Sequence, residues 1–215
     1  MVFLNLITEI SKKLDLVYAV DVSKQTSGQG LEEIRNYIKK DAALHKLSPS
    51  DTRIAIITFD SDSKVLLKPQ DGTDFESIEN AVFGLKRSSN KADLPKALAF
   101  INQELRSSKW NQDNRQDVPK TVVFLTSSST QGVNTIGLKD NSRRTKEKAT
   151  VIVVGIGDDV NPDELNVIAT DDSNIFMIDV PRDIEDLLNK LKQAIAQSTS
   201  IIHIIFFYLL YFKLL

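Results

Sequence analysis

Residues 14–27 read LDLVYAVDVSKQTS: the apolar and β-branched run Leu16–Val20 passes straight into Asp21 and then into small polar residues. A short apolar run closed by turn formers is the pattern of a strand buried on both faces, as in a parallel sheet. In open α/β sheets the loop that follows such a strand, at its carboxyl end, is where ligands sit. Asp21 and the residues after it are therefore the first candidate site.

Outward from this stretch, Arg53–Phe59 (RIAIITF), Thr121–Thr126 (TVVFLT) and Thr150–Gly155 (TVIVVG) repeat its character, and Asn174–Ile178 (NIFMI) gives a shorter last strand. Helical spacing fills the intervals. Leu31, Ile34, Ile38 and Ala42 form one apolar face, after Gly28 and Gly30 in the turn. Phe75, Ile78, Val82 and Leu85 form a second, with Thr73 and Glu76 as its capping box. Asp93 caps a third, carrying Leu94, Ala97, Leu98, Ile101 and Leu105. Lys139–Lys148 is a strongly charged helix, and Asn161, Pro162 and Glu164 open a short one as N-cap, first-turn proline and capping partner. Ile184, Leu187, Leu188, Leu191 and Ile195 line a closing helix. Lys64–Lys68 (KVLLK) follows its predecessor after only a DSDS break, so it should be an antiparallel edge strand. Strands alternating with helices predict right-handed βαβ units and a doubly wound, mostly parallel α/β sheet with helices on both faces.

Composition narrows the function classes. The 215 residues are 41% hydrophobic and 26% charged, which suits one soluble domain with a full core. A net charge of −2 supplies no general attraction for nucleic acid or an anionic membrane. With no cysteine there is no disulfide scaffold, thiol chemistry or cysteine-ligated metal. Residues 1–13 read as an extension without a secretory signal, 14–196 as the domain, and 197–215 as an apolar tail. The tail segment IIHIIFFYLLYFKLL, residues 201–215, is shorter than the roughly 20 residues that span a bilayer as a helix. A truncated anchor, an extra core segment and sequence foreign to the native protein are the three readings. The abrupt change at Ser198–Ser200 favours the third.

No catalytic residue is expected. Gly28-x-Gly30 lies too far past the strand to cradle a pyrophosphate, and Gly155-Ile-Gly157 has Val160 where a third glycine is needed, so both pairs read as turn glycines. There is no P-loop and no nucleophile elbow. His45 reads as a solvated or dipole-matched imidazole at a helix end, and His203 lies in the tail. Asp60–Asp62 and Asp158–Asp159 fall in strand-end loops where solvated charge is the ordinary outcome. Trp110 is either an exposed anchor for a partner or packing over a helix end.

The order and spacing of LDLVYAVDVSKQTS, TRIAIITFDSD, ADLPKAL, KTVVFLTSSS, ATVIVVGIG, PDELNVIATD and NIFMIDVPRDIEDLLNKL resemble a von Willebrand factor A-type domain from Leu14 to Ala196. The resemblance implies a Rossmann-like sheet whose top face binds protein ligands, often through magnesium or manganese in a metal-ion-dependent adhesion site. The family draws that site from a D-x-S-x-S loop, a threonine before the middle helix and an aspartate after a later strand. Carried over, Asp21 and Ser23 match the first two ligands, but Gln25 stands at the third, Ala92 at the threonine and Ser127 at the aspartate. A site whose only formal anion is Asp21 should bind magnesium weakly, because that ion depends on carboxylate charge to shed its water. The alternative for Asp21 is that it accepts hydrogen bonds from backbone amides of its own loop.

The expectation is a non-enzymatic adhesion module with a degenerate metal site and no cofactor, binding a protein partner. By the resemblance it belongs to a longer extracellular matrix or cell-surface protein, and membrane contact enters only if the tail is native. An intracellular A-type scaffold domain is the alternative within the fold, favoured by the lack of cysteine and signal. A nucleotide-dependent Rossmann-like enzyme is the distant one.

Overall fold

A computed structural model describes residues 13–110, 115–130, 135–178, 189–190 and 193–195. In chain order the elements are β1 (Leu14–Asp21), α1 (Gly28–Ala42), β2 (Thr52–Phe59), β3 (Ser63–Leu67), α2 (Phe75–Phe83), α3 (Leu94–Arg106), β4 (Lys120–Thr126), α4 (Thr135–Lys146), β5 (Thr150–Ile156), α5 (Pro162–Ile168) and β6 (Ile175–Ile178). The sheet order is β3-β2-β1-β4-β5-β6, parallel except for β3, which pairs antiparallel with β2 as its DSDS break requires. This is the Rossmann-like doubly wound arrangement expected. Its order reverses between β1 and β4, so the switch point lies where β1 delivers Asp21 and β4 delivers Thr126.

Side-chain alternation along β1 splits the core in two. Leu14, Leu16, Tyr18 and Val20 face the layer of α1 and α2, with Ile34, Ile38, Ile78 and Val82 against them. Val17 and Ala19 face α3, α4 and α5, where Leu98, Ile101, Leu138 and Leu165 close the other side. All eight β1 residues are buried, so the chain could spare polar groups on this strand only where they are paired. Ala194 and Ile195 join the α1–α2 side. The other closing-helix positions, the tail, His203 and the boundaries drawn near residues 13 and 196 fall outside, or turn on residues outside, the described set.

Several local expectations change. Gly28 and Gly30 are inside α1, not before it, because Ser27 accepts from the Gly30 amide and caps the helix. The cap of α2 is Asp74, whose carboxylate accepts from the Ser77 amide, and Phe75 is 40% exposed instead of core. Phe75 is the first residue of α2, so it stands at the open end of the stripe that Ile78 and Val82 continue. Asp93 caps α3 as expected, accepting from the Lys96 amide. The charged helix α4 starts earlier, at Thr135. Gly155 is a strand residue: a Cβ there would meet Leu165 and Met177 at 2.8 Å, so it lets α5 and β6 close on the sheet. Gly157, at φ 80°, is the turn glycine of the pair.

His45 is the clearest reversal: its side chain is wholly buried, with Nε2 3.5 Å from the Asp41 carboxylate. Tyr18 donates a short hydrogen bond to that same carboxylate. Trp110 is 1% exposed and packs in the core beside α3, which settles its reading as packing. Among the described residues no helix is long and apolar enough to cross a membrane.

The candidate ligand-binding face

Three loops meet at the carboxyl ends of the parallel strands. The segment after β1 is stitched sideways: Val22 N–H donates to the Phe59 carbonyl at 2.9 Å, Ser88 N–H to the Val22 carbonyl at 2.6 Å, and Lys24 N–H to the Asn90 carbonyl at 2.8 Å. The Asp93 N–H donates to the Asp60 carbonyl at 2.9 Å, which ties the start of α3 to the β2–β3 turn. The face is thus held by backbone bonds between loops far apart in sequence.

Asp21 is fully buried at its centre. One carboxylate oxygen accepts from Ser23 N–H at 2.9 Å, and the other accepts from the Thr126 hydroxyl at 3.0 Å and from Ser127 N–H at 3.1 Å. Thr26 returns its hydroxyl to the Asp21 carbonyl at 3.0 Å. Ser23 Oγ and Ser128 Oγ lie 3.1 Å apart, bonded to each other. Of the positions matched to the family's ligands, Asp21 and Ser23 are therefore in place, next to Ser127, but their oxygens are taken up by neighbouring protein donors. Ala92 is half-buried against the core and contributes no oxygen. Gln25 Oε1 is buried without a hydrogen-bond partner among the described residues, and Gln25 lines a recess of about 110 Å³ with Ser127, Gly157, Asp158 and Asp159. Asp93 is committed to its cap.

Magnesium takes six oxygens in a near-ideal octahedron and leans on carboxylates. One carboxylate with both oxygens already accepting, and a serine turned onto another serine, do not fit that demand without rearrangement. Among the described residues no three His, Cys, Asp or Glu side chains are grouped to hold a metal ion.

Beside Asp21, the β2–β3 turn and the segment after α2 enclose a groove of about 370 Å³, floored by Val22, Phe59 and Leu85 and edged by Asp60, Asp62 and Lys86. Burial alone would raise the Asp60 pKa, but hydrogen bonds from Ser88, the Asp62 amide, Asn90 and Ser61 outweigh it and hold the carboxyl below its ordinary value. Asp62 pairs with Lys96 at 2.7 Å. Thr126, Ser128 and Glu164 are the residues of this face that the sequence reading passed over. For Thr126 a signal existed: the pairing of β1 with β4 and a two-residue period place it on the face that carries Asp21.

A doubly wound α/β domain with its loop-built face at the β1/β4 switch point is the class this geometry defines. The sequence matches the von Willebrand factor type A domain over residues 15–190, most of the chain, and the protein belongs to that family. It is 23% identical over 165 residues to the mouse collagen alpha-5(VI) chain, covering 77% of this chain and 6% of that one. It is 21% identical over 122 residues to human matrilin-3, covering 56% and 25% respectively. Its fold superposes on the mussel byssus proximal thread matrix protein 1 with a TM-score of 0.68 at 18% identity, over 85% of this chain and 46% of that one. A form of that mussel protein has a zinc-occupied metal-ion-dependent adhesion site. A von Willebrand factor type A domain from Catenulispora acidiphila superposes with a TM-score of 0.67 at 16% identity, over 84% and 42%. The chain therefore spans a small part of each curated relative's length.

Proposed function

We propose that this domain is a non-enzymatic interaction module that binds a protein of the extracellular matrix through its top face, with weak or no dependence on a metal ion. The family match and the names of the collagen and matrilin relatives support the matrix setting and the partner class. The single observation that carries the metal-independent part is the Asp21 carboxylate, which is filled by three donors from Ser23, Thr126 and Ser127. A buried acceptor satisfied in this way gains little by exchanging those bonds for a strongly hydrated cation.

The test is cross-linking of the folded domain to soluble matrix extract, in magnesium and in chelator. Lys24, Lys86 and Lys91 are exposed around the face and would report docking there. The proposal predicts cross-links from these lysines to a protein partner that persist in chelator. Loss of every cross-link in chelator would show that the face needs a cation. Nucleotide binding by saturation-transfer NMR, without protein capture, would return the chain to the enzyme class.

A further inference from the structure

Glu164 stands three residues after the Asn161 cap of α5, the place from which a glutamate normally reaches back to its own helix cap. It does not reach back. The side chain crosses to the loop after β4 instead, where one carboxylate oxygen accepts from Thr130 N–H at 2.7 Å and the other accepts a short bond from the Thr130 hydroxyl. Glu164 is only 6% exposed, although it sits in the first turn of a seven-residue helix at the edge of the fold. A carboxylate hidden there and spent on a single threonine is a costly arrangement unless the bonds it makes are strong, as charge-assisted bonds to N–H and O–H are.

The loop it holds is the one that carries Ser127. Its root is fixed from the other side by Asp21, which takes the Thr126 hydroxyl and the Ser127 amide, and by the bond between Ser23 and Ser128. Residues 126–130 thus lie between two buried carboxylates, one from β1 and one from α5, which share no donor among the described residues. Donors meet acceptors within the loop as well, Ser128 N–H reaching the Thr126 hydroxyl at 3.1 Å.

We propose that Glu164 is a positioning residue that latches residues 126–130 at Thr130 independently of Asp21, so that this part of the top face keeps one conformation with no cation present. In this arrangement the protein supplies from α5 a carboxylate that organises the loop from within. The docking surface is then set before any partner arrives, which lowers the ordering cost of binding. This holds whichever partner docks there.

Amide exchange measured by NMR on the folded domain separates the two latches. In the unmodified protein the Thr130 and Ser127 amides should both be protected, equally in magnesium and in chelator. Glu164→Gln keeps the shape of the side chain but replaces one acceptor oxygen with a donor, and it should speed Thr130 exchange by about tenfold or more while leaving Ser127 unchanged. Asp21→Asn should do the reverse. The amides of β1 and β4 serve as the internal standard that each variant is folded. Glu164→Asp, one methylene shorter, should restore part of the Thr130 protection if the contact is a directed carboxylate bond. Unprotected Thr130 in the parent, equal Thr130 exchange in parent and Glu164→Gln, or Ser127 responding as much as Thr130 would each overturn the proposal. So would a magnesium-dependent change in Thr130 protection in the parent.

Discussion

The two ends of β1 each bury an aspartate on the same side of the sheet, about 20 Å apart by strand rise, and the two are satisfied by opposite means. Asp15, at the amino end, is clasped by two cations: Arg53 Nε reaches it at 3.1 Å and Arg115 Nη2 at 2.8 Å, with all three side chains buried. Arg115 spends its remaining donors on the carbonyls of Leu14, Pro49 and Asp51 and so staples the β1, β2 and β4 entrances together. Asp21, at the carboxyl end, meets only N–H and O–H dipoles among the described residues. One carboxylate is locked to fixed counter-charges, and the other is solvated by a loop. The same residue type on one strand is a structural clasp at the closed end and the centre of a loop-built surface at the open end.

The sharpest way to break this contrast is to remove the charge at each end without changing shape. Asp15→Asn leaves Arg53 and Arg115 buried with no anion between them, beside a Lys120 ammonium that burial already holds below its ordinary pKa. Breaking such a cluster from one side costs about 3–5 kcal/mol, and urea denaturation at neutral pH should show a loss of that order. A loss below about 1 kcal/mol would mean that water reaches the arginines and that the clasp is weaker than its geometry. Asp21→Asn strands no counter-charge. It puts an amide NH₂ against donors on one side, and the expected loss is about 1–3 kcal/mol, clearly less than for Asp15. Equal losses at the two ends would erase the distinction.

The middle of β1 offers a third case, on its opposite face. There the buried Asp41 carboxylate takes the Tyr18 hydroxyl, and the Tyr18 and Tyr37 rings meet edge to face with centroids 6.0 Å apart. Burial first, and then the Asp41 charge, push both phenols well above their ordinary pKa. A raised folded-state value means that the folded protein keeps protons the unfolded chain has lost. This contribution is complete below pH about 10 and falls away as pH rises above it, by about 1.4 kcal/mol per phenol for each unit. Denaturation at pH 8 and pH 11 should therefore show a steep alkaline loss in the parent that is shallower in Tyr37→Phe. Parallel losses in the two proteins would place the alkaline sensitivity elsewhere.

What was legible in the sequence divides along the same line as the two ends of the strand. The sheet, its order of elements and its antiparallel edge follow from apolar runs and helical spacing, since burial of a strand leaves a local pattern. The partners of buried polar groups leave none. Asp15 and Arg115 are 100 positions apart, and Glu164 matches a capping pattern that it does not obey. His45 looked solvated because it follows a helix end beside Lys46, although the turn after α1 brings it inward toward Asp41. At the open end the matched positions Asp21, Ser23 and Ser127 do come together. What the sequence could not show is which donors occupy Asp21 once Thr126 and Ser127 lie beside it.

The smallest expected effect is the most exacting test of that open end. Magnesium or manganese in millimolar excess should leave the melting temperature of the parent unchanged, because a cation would have to displace three hydrogen bonds and find its remaining ligands without a second carboxylate at the matched positions. A ligand that binds only the folded state at ten times its Kd adds about 1.4 kcal/mol, which for a domain of this size is a rise of about 3–6 °C. Such a rise in the parent would sink the metal-independent reading and imply that Gln25 or Asp93 turns in to complete a site. The variant combining Gln25→Ser, Ala92→Thr and Ser127→Asp should behave in the opposite way. Its new carboxylate stands where the Ser127 amide already donates to Asp21, so in chelator two unscreened anions face each other and the variant should melt below the parent. With a cation between them the repulsion becomes attraction, and the same variant should gain the several degrees that the parent lacks. The open end would then respond to charge that is added, as the closed end responds to charge that is taken away.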